Sequence, residues 1–314
     1  MDELGVTVVA AADPALVEDV VGLLQAVEGD DGGPGLSEAR LRALQGSAHG
    51  TGSGFLAVVA RRVDDGRLVG YAQLDDEGDR AATSGEVVVL PRGDGGADLA
   101  DRLLGTAVDA FRAAGGGHLR LWVIHAGPPD DARAAAAGLA PERDLLQMRC
   151  ALPLVPATRP GEDVATRPFR VGEDEEAWLL ANNRAFADHP EQGRWDLATL
   201  RSREAEPWFD PHGFRVLEVD GRMAASCWTK VHRSATPPLG EIYVISVDPD
   251  FQGRGLGRAL TRAGLGWLTT GAGMATGMLY VDAANAAAVQ LYRSMGFTTH
   301  HVDRSYVGDL APAG

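Results

Sequence analysis

The feature that most limits the fold is a repeat. One order of strands and helices runs through residues 1–152 and again through 164–314. Three landmarks hold the copies in register: Pro91 and Pro249, Trp122 and Tyr280, Gly138 and Gly296, each pair 158 positions apart. Chance produces one such match; three at equivalent places in the same element order indicate an internal duplication. A duplicated chain builds one plan twice, so two domains are expected. The join at 153–163 holds Pro153, Pro156 and Pro160, which suits a stiff linker.

In the first half the spacing predicts strand Val6–Ala11, helix Pro14–Val27 opened by Asp13, and a second helix capped by Ser37. Strands Phe55–Val63 and Arg67–Leu74 meet across Asp64-Asp65-Gly66, a turn that Asp-Gly favours. Strand Glu86–Leu90, helix Asp98–Ala113, strand His118–Ile124, helix Asp131–Ala137 and strand Asp144–Ala151 complete it. The second half predicts strand Ala165–Val171, helices Asp174–Phe186 and Leu197–Glu204, and a hairpin of Phe214–Val219 with Arg222–Lys230. Strand Glu241–Val247, helix Gly255–Leu268, strand Gly277–Asp282, helix Ala286–Met295 and strand Thr299–Val307 follow. Hairpins mixed with crossovers make each half α/β in content and α+β in order: a mixed, largely antiparallel sheet flanked by helices.

Charge narrows the partners. Lys plus Arg is 29 against 44 Asp plus Glu, a formal charge of −15, which disfavours nucleic acid and anionic membranes. An anionic ligand must therefore find a local basic site. With 45% hydrophobic residues the chain can bury real cores. Cys150 and Cys227 alone make no disulfide framework, and Met1-Asp2-Glu3-Leu4 lacks the basic and apolar regions of a secretory signal. A soluble, cytoplasmic protein is expected. The histidines show no metal-ligand spacing, so no metal is expected.

The most informative segment runs from Gly240 to Leu260: a strand, a tight turn, glycines and an amphipathic helix. Glycines there let backbone N–H groups approach a ligand, and the helix N-terminus adds partial positive charge. Arg254 and Arg258 lie in the loop and first turn, with Arg262 one turn on. Cations there oppose the helix dipole unless an anion sits among them, and a pyrophosphate would resolve that conflict. Arg258-Ala259 stands where a P-loop needs Lys then Ser or Thr, and Gly253, Gly255 and Gly257 do not fit the dinucleotide fingerprint. Glycine runs are also common turn material.

Gln252-Gly253-Arg254-Gly255-Leu256-Gly257 resembles the acetyl-CoA loop of the GCN5-related N-acetyltransferases, and Asn285 to Phe297 (NAAAVQLYRSMGF) resembles their companion helix along the pantetheine arm. The resemblance implies two tandem domains of that fold and acetyl-CoA as cosubstrate. It implies binding by Ile245, Ser246, Val247, by the loop through Arg258, and by Asn285, Ala286, Ala287, Ala288, Val289 and Gln290. Val87, Val88 and Val89 match a strand that can hold a second acetyl-CoA in related enzymes. Asp94 and Asp98 follow there, where the second half carries arginines, and the first half is read as catalytically silent.

Segments His189–Trp195, Trp208–Pro211 and Trp228–His232 resemble a tandem branch that acetylates the cysteinyl amine of cysteinyl-glucosaminyl-inositol. That resemblance implies acceptor contacts at Glu38, Glu191, Lys230, Glu241 and Tyr280, with Glu241 as base, directly or through water. Tyr292 matches the family's proton donor to the CoA sulfur, and a phenol stays protonated at neutral pH. Shifted by 158, Glu241 meets Thr83 and Tyr292 meets Ala134, so neither group recurs in the first half. The expected partners are the two substrates alone, with the chain a monomer. A tandem acetyltransferase with another amine acceptor, or an acetyl-CoA sensor without turnover, would keep the same loop.

Overall fold

The computed structural model describes residues 4–31, 35–49, 54–76, 82–89, 94–155, 163–187 and 192–314. They fall into two compact units: Met1–Leu145 with Asp282–Ala284 and His301–Gly314, and Leu146–Val281 with Asn285–His300.

The first unit begins with β1 (Leu4–Val9), α1 (Pro14–Asp31), α2 (Glu38–Ala48), β2 (Leu56–Arg62), β3 (Leu68–Asp76) and β4 (Ala82–Val89). It continues through α3 (Asp94–Ala113), β5 (Gly117–Val123), α4 (Pro128–Ala136) and the first part of β6 (Ala140–Ala151). Helix starts follow the sequence signals: Asp13 Oδ1 accepts from the Leu16 amide at 2.7 Å, and the Ser37 hydroxyl accepts from that of Arg40. Strands β1 to β4 pair antiparallel in order, and β4 pairs parallel with β5. Alternation then sends Val59 and Tyr71 against α1 and α2, and Val58, Ala60 and Ala72 against α3.

The second unit holds β7 (Arg167–Pro168), α5 (Glu175–Ala185), α6 (Leu197–Glu204), β8 (Phe214–Val219), β9 (Arg222–His232) and β10 (Leu239–Val247). Helix α7 (Leu256–Thr270), β11 (Thr276–Asp282) and α8 (Ala286–Ser294) follow, with β12 (Thr298–Leu310) closing the chain. Its strand order is β6-β11-β10-β9-β8-β7. Trp178 of α5 and Leu200 of α6 pack on Phe214, Trp228 and Val244. Helix α7 covers the opposite face so closely that a Cβ on Gly264 would lie 2.4 Å from Cys227 Sγ.

Two expectations change. The strand over Ala165–Val171 shrinks to the two residues of β7, because Pro168 lacks an N–H and cannot extend a ladder. The compact units also trade segments relative to a cut at the join. Tyr306 and Leu310 of β12 bury in the first unit's core, and β12 pairs with β5 from Arg304↔Val123 to Leu310↔Gly117. Residues 156–162 of the join lie outside the described residues. No helix among the described residues is long and apolar enough to cross a membrane.

Candidate active site

The site starts from a ladder that stops. Strand β10 pairs antiparallel with β9 along its length, but parallel with β11 only over Gly240–Ile242. At Tyr243 the β9 register slips by one residue, a bulge, and past it the chain runs on to Val247 without continuing the ladder to β11. Ile245, Ser246 and Val247 therefore lie along an open edge, where alternate peptide groups can pair with an extended ligand. The Ser246 hydroxyl is turned into the core, 3.0 Å from Ser226 Oγ, which in turn accepts from Trp178 Nε1 at 3.0 Å. Only the backbone of Ser246 faces the gap.

Beyond β10, Asp248 and Pro249–Phe251 make one tight turn, with the buried Asp248 carboxylate accepting from the Asp250 amide at 2.9 Å. Arg184 and Arg222 clamp this turn through Asp250 at 2.9 and 2.7 Å. Gly253 (φ 74°) and Gly255 (φ 77°) take left-handed conformations, and α7 starts at Gly255 without a side-chain cap. The amides of Leu256 and Gly257 thus face out of the helix start, where a ligand can meet them. These features suit a pyrophosphate. Arg254 lies over the Phe251 ring at 5.2 Å, and Arg258 donates to Ser294 Oγ at the end of α8. Two residues play other parts. Gln252 Nε2 donates to Val247 O within its own loop, and Arg262 is held by Asp163 and the Val155 carbonyl.

Helix α8 opens with Asn285 Oδ1 accepting from the Ala288 amide at 3.1 Å. Ala286, Ala287 and Gln290 face outward, while Val289 and Tyr292 turn inward. Tyr292 is 6% exposed, and burial pushes its phenol up to about 12, so it keeps its proton. Its hydroxyl has no hydrogen-bond partner among the described residues.

Glu241 belongs to the other face. It sits opposite Lys230 across β9 and β10, and its Oε2 lies 2.6 Å from His232 Nε2. Lys230 Nζ lies 4.7 Å from the Trp208 ring centroid and 5.6 Å from that of Tyr243. Burial holds its ammonium below the usual lysine range, against the opposing pull of Glu241. Trp228, on the same face, joins Trp178, Trp208 and Tyr243 in an aromatic wall. On β11 the Tyr280 hydroxyl accepts from Gln147 Nε2 at 2.9 Å, and Arg149 Nε donates to Gln147 Oε1 at 2.7 Å. Base and acid candidates thus approach the gap from opposite faces of one sheet. Glu191 and the side chain of Glu38 lie outside the described residues.

Sequence reasoning missed His232, nine residues from Glu241, and the Gln147–Arg149 pair behind Tyr280. Alternation on β9 puts Lys230 and His232 on one face. The connection to β10 is not a two-residue turn, however, so its register could not be read. Cys150 and Cys227 are buried and unpaired, and burial raises both thiols to about 12, as packing residues.

In the first unit the ladder between β4 and β5 likewise stops, at Glu86↔Trp122, while β4 continues to Val89. The backbone of Val87–Val89 thus has the same placement. The side chains of Val88 and Val89, and residues 90–93, are outside the described set.

Comparison with known proteins agrees with this geometry. Residues 177–297 match the model of the Acetyltransferase (GNAT) family. A mycothiol acetyltransferase of Thermomonospora curvata is 44% identical over 313 residues, covering 98% of each chain. One from Streptomyces coelicolor is 42% identical, covering 95% of this chain and 93% of its own. Among solved structures, a GCN5-related N-acetyltransferase from Sphaerobacter thermophilus superposes with a TM-score of 0.70 at 23% identity, covering 98% and 97%. A tandem GNAT protein from the clavulanic acid biosynthesis pathway gives 0.66 at 18%, covering 99% and 100%. These two speak for the fold. An open strand, an uncapped glycine-rich helix start and full-length identity above 40% converge: this chain belongs to the mycothiol acetyltransferase family of GNAT acetyltransferases.

Proposed function

We propose that the chain transfers an acetyl group from acetyl-CoA to the cysteinyl amine of cysteinyl-glucosaminyl-inositol, the acetylation that completes mycothiol. The observation that carries this reading is the gap beyond Ile242, with Glu241 on one face, Tyr292 on the other and the bare start of α7 at its end.

Bound acetyl-CoA supplies the acyl thioester. The amides of Leu256 and Gly257, with the Arg254 and Arg258 guanidiniums, would hold its diphosphate. The backbone of Ile245–Val247 and the outer face of α8 from Asn285 to Gln290 would line its pantetheine arm. Glu241 takes a proton from the incoming amine at its carboxylate, which leaves the nitrogen lone pair free. An ordinary α-amino group titrates at about 7.7–8.0, so this proton is readily lost. Tyr292 gives its hydroxyl proton to the departing thiolate. Lys230 and Tyr280, with Glu38 and Glu191, would hydrogen-bond the hydroxyl-rich acceptor. The first half, residues 1–152, carries out no transfer of its own, and the second, 164–314, follows the 153–163 join. Two unpaired cysteines suit a reducing interior, where we place the reaction.

The test is an assay of the full chain with acetyl-CoA and cysteinyl-glucosaminyl-inositol, following free CoA and the N-acetyl product. Product should form, and Tyr292→Phe should lower kcat by about 10–100-fold with the acetyl-CoA Kd within about twofold. No acetylated product removes the acceptor assignment. A native rate in the Phe variant removes the proton donor.

A further inference from the structure

We infer that His232 is the positioning residue of the reaction: its imidazole N–H fixes the Glu241 carboxylate so that one oxygen is left to face the amine. The inference rests on the reading of Glu241 as the base.

A glutamate on a strand has three rotatable bonds, and in a gap open to ligands its carboxylate would sample several directions. Strand pairing alone does not prevent this. Lys230 stands opposite in the ladder, its ammonium over the Trp208 and Tyr243 rings and within the pull of the Glu241 charge. The contact that does fix the carboxylate is His232 Nε2 to Glu241 Oε2 at 2.6 Å. Glu241 Oε2 is thereby occupied, and Oε1 is the atom free to accept a proton. The pair is well placed to be rigid. Glu241 is 7% exposed and the His232 ring half-buried, at the end of β9 where its backbone still pairs with Leu239. A hydrogen bond to an ionised group in such a setting is among the stronger ones.

The proton balance is simple. In the resting pair Nε2–H donates to Oε2. Oε1 takes the amine's proton while Nε2–H stays on the ring, so the imidazole neither gains nor loses a proton in that step. His232 acts through Glu241 and touches no reacting atom. No sequence motif marked it, because the residues that meet are separated by a loop.

The experiment compares His232→Gln, His232→Asn, Glu241→Gln and the two double variants in the full chain, with acetyl-CoA and cysteinyl-glucosaminyl-inositol. A glutamine amide reaches the place of Nε2, whereas an asparagine amide stops short. His232→Asn should lower kcat by about tenfold or more with KM for acetyl-CoA unchanged, and His232→Gln should recover to within about threefold of native. In the Glu241→Gln background the Asn substitution should cost nothing further. The inference falls if His232→Asn matches the native rate, if Gln is as slow as Asn, or if the two losses multiply. A Glu241→Gln variant with native kcat would instead remove the base itself, and the inference with it.

Discussion

The two units carry the same break in the same place, and fill it differently. In the second, Lys230 faces Glu241 across the strands, with an aromatic wall beside them. In the first, the matching pair is Asp75 and Ser84, and polar side chains surround it. Arg40 donates to Asp75 at 2.8 Å, and Gln73 Nε2 reaches both Asp75 and the Arg40 carbonyl. Tyr71 donates to Gln73 at 2.7 Å, and buried Glu86 accepts from the Ser37 amide at 2.7 Å. One unit's polar groups answer each other. The other's, Glu241 with His232 and Tyr280 with Gln147, are held beside a gap. Duplication preserved the scaffold, and the polar side chains set into it differ between the two units.

The sharpest way to break this contrast is to neutralise one buried glutamate in each unit. Glu241→Gln should lower kcat by about 10²–10⁴-fold with the fold intact. Glu86→Gln, in the first unit, should leave kcat within about twofold, though its carboxyl is as buried and burial pushes it upward. Steady-state kinetics on both variants decides. Equal losses would mean that the first unit takes part in the chemistry.

The second test concerns stability. Arg40→Met removes the one cation from the first unit's network and strands two buried carboxylates, Asp75 and Glu86, on their remaining amide partners. Breaking a buried pair from one side costs about 3–5 kcal/mol, a fall in Tm of about 6–12 °C, read by thermal unfolding. The kcat of folded enzyme should hardly move. An unchanged Tm would show that the network does not support its unit.

How much of this was legible beforehand depends on whether it lies along the chain or across it. Helix starts at Asp13 and Ser37, the glycine loop and the repeat are local, and each has its own signal. The equivalence of Glu241 was not. Counting back 158 positions gives Thr83, yet the residue opposite Asp75 is Ser84, because the bulge at Tyr243 adds one residue to β10 that β4 lacks. A bulge leaves no reliable mark in a single sequence, and it decides which face every earlier side chain takes. The exchange of β12 into the first unit's core was hidden for the same reason: alternation shows that Tyr306 is buried, not where.

The smallest effect sharpens the comparison most. If the first unit's polar groups stabilise and the second unit's serve a ligand, removing a cation should act with opposite sign in the two. Lys230 is 8% exposed, and burial lowers its pKa in the folded chain. Between that lowered value and the ordinary one the unfolded chain binds more protons, so stability rises with pH across that window. Below that window the penalty of burying the ammonium is fully present. Lys230→Met keeps the side chain's length against Trp208 and Tyr243 and removes that penalty. Its Tm below that window should therefore rise by about 2–4 °C, the reverse of Arg40→Met, and the gain should shrink as pH approaches the usual lysine range. KM for the acceptor should rise about tenfold, since a charged donor to its hydroxyls is gone, while KM for acetyl-CoA stays put. A Met variant that melts lower on the low-pH side of that window would place Lys230 among the stabilising groups, and the division of labour between the two units would no longer hold at this position.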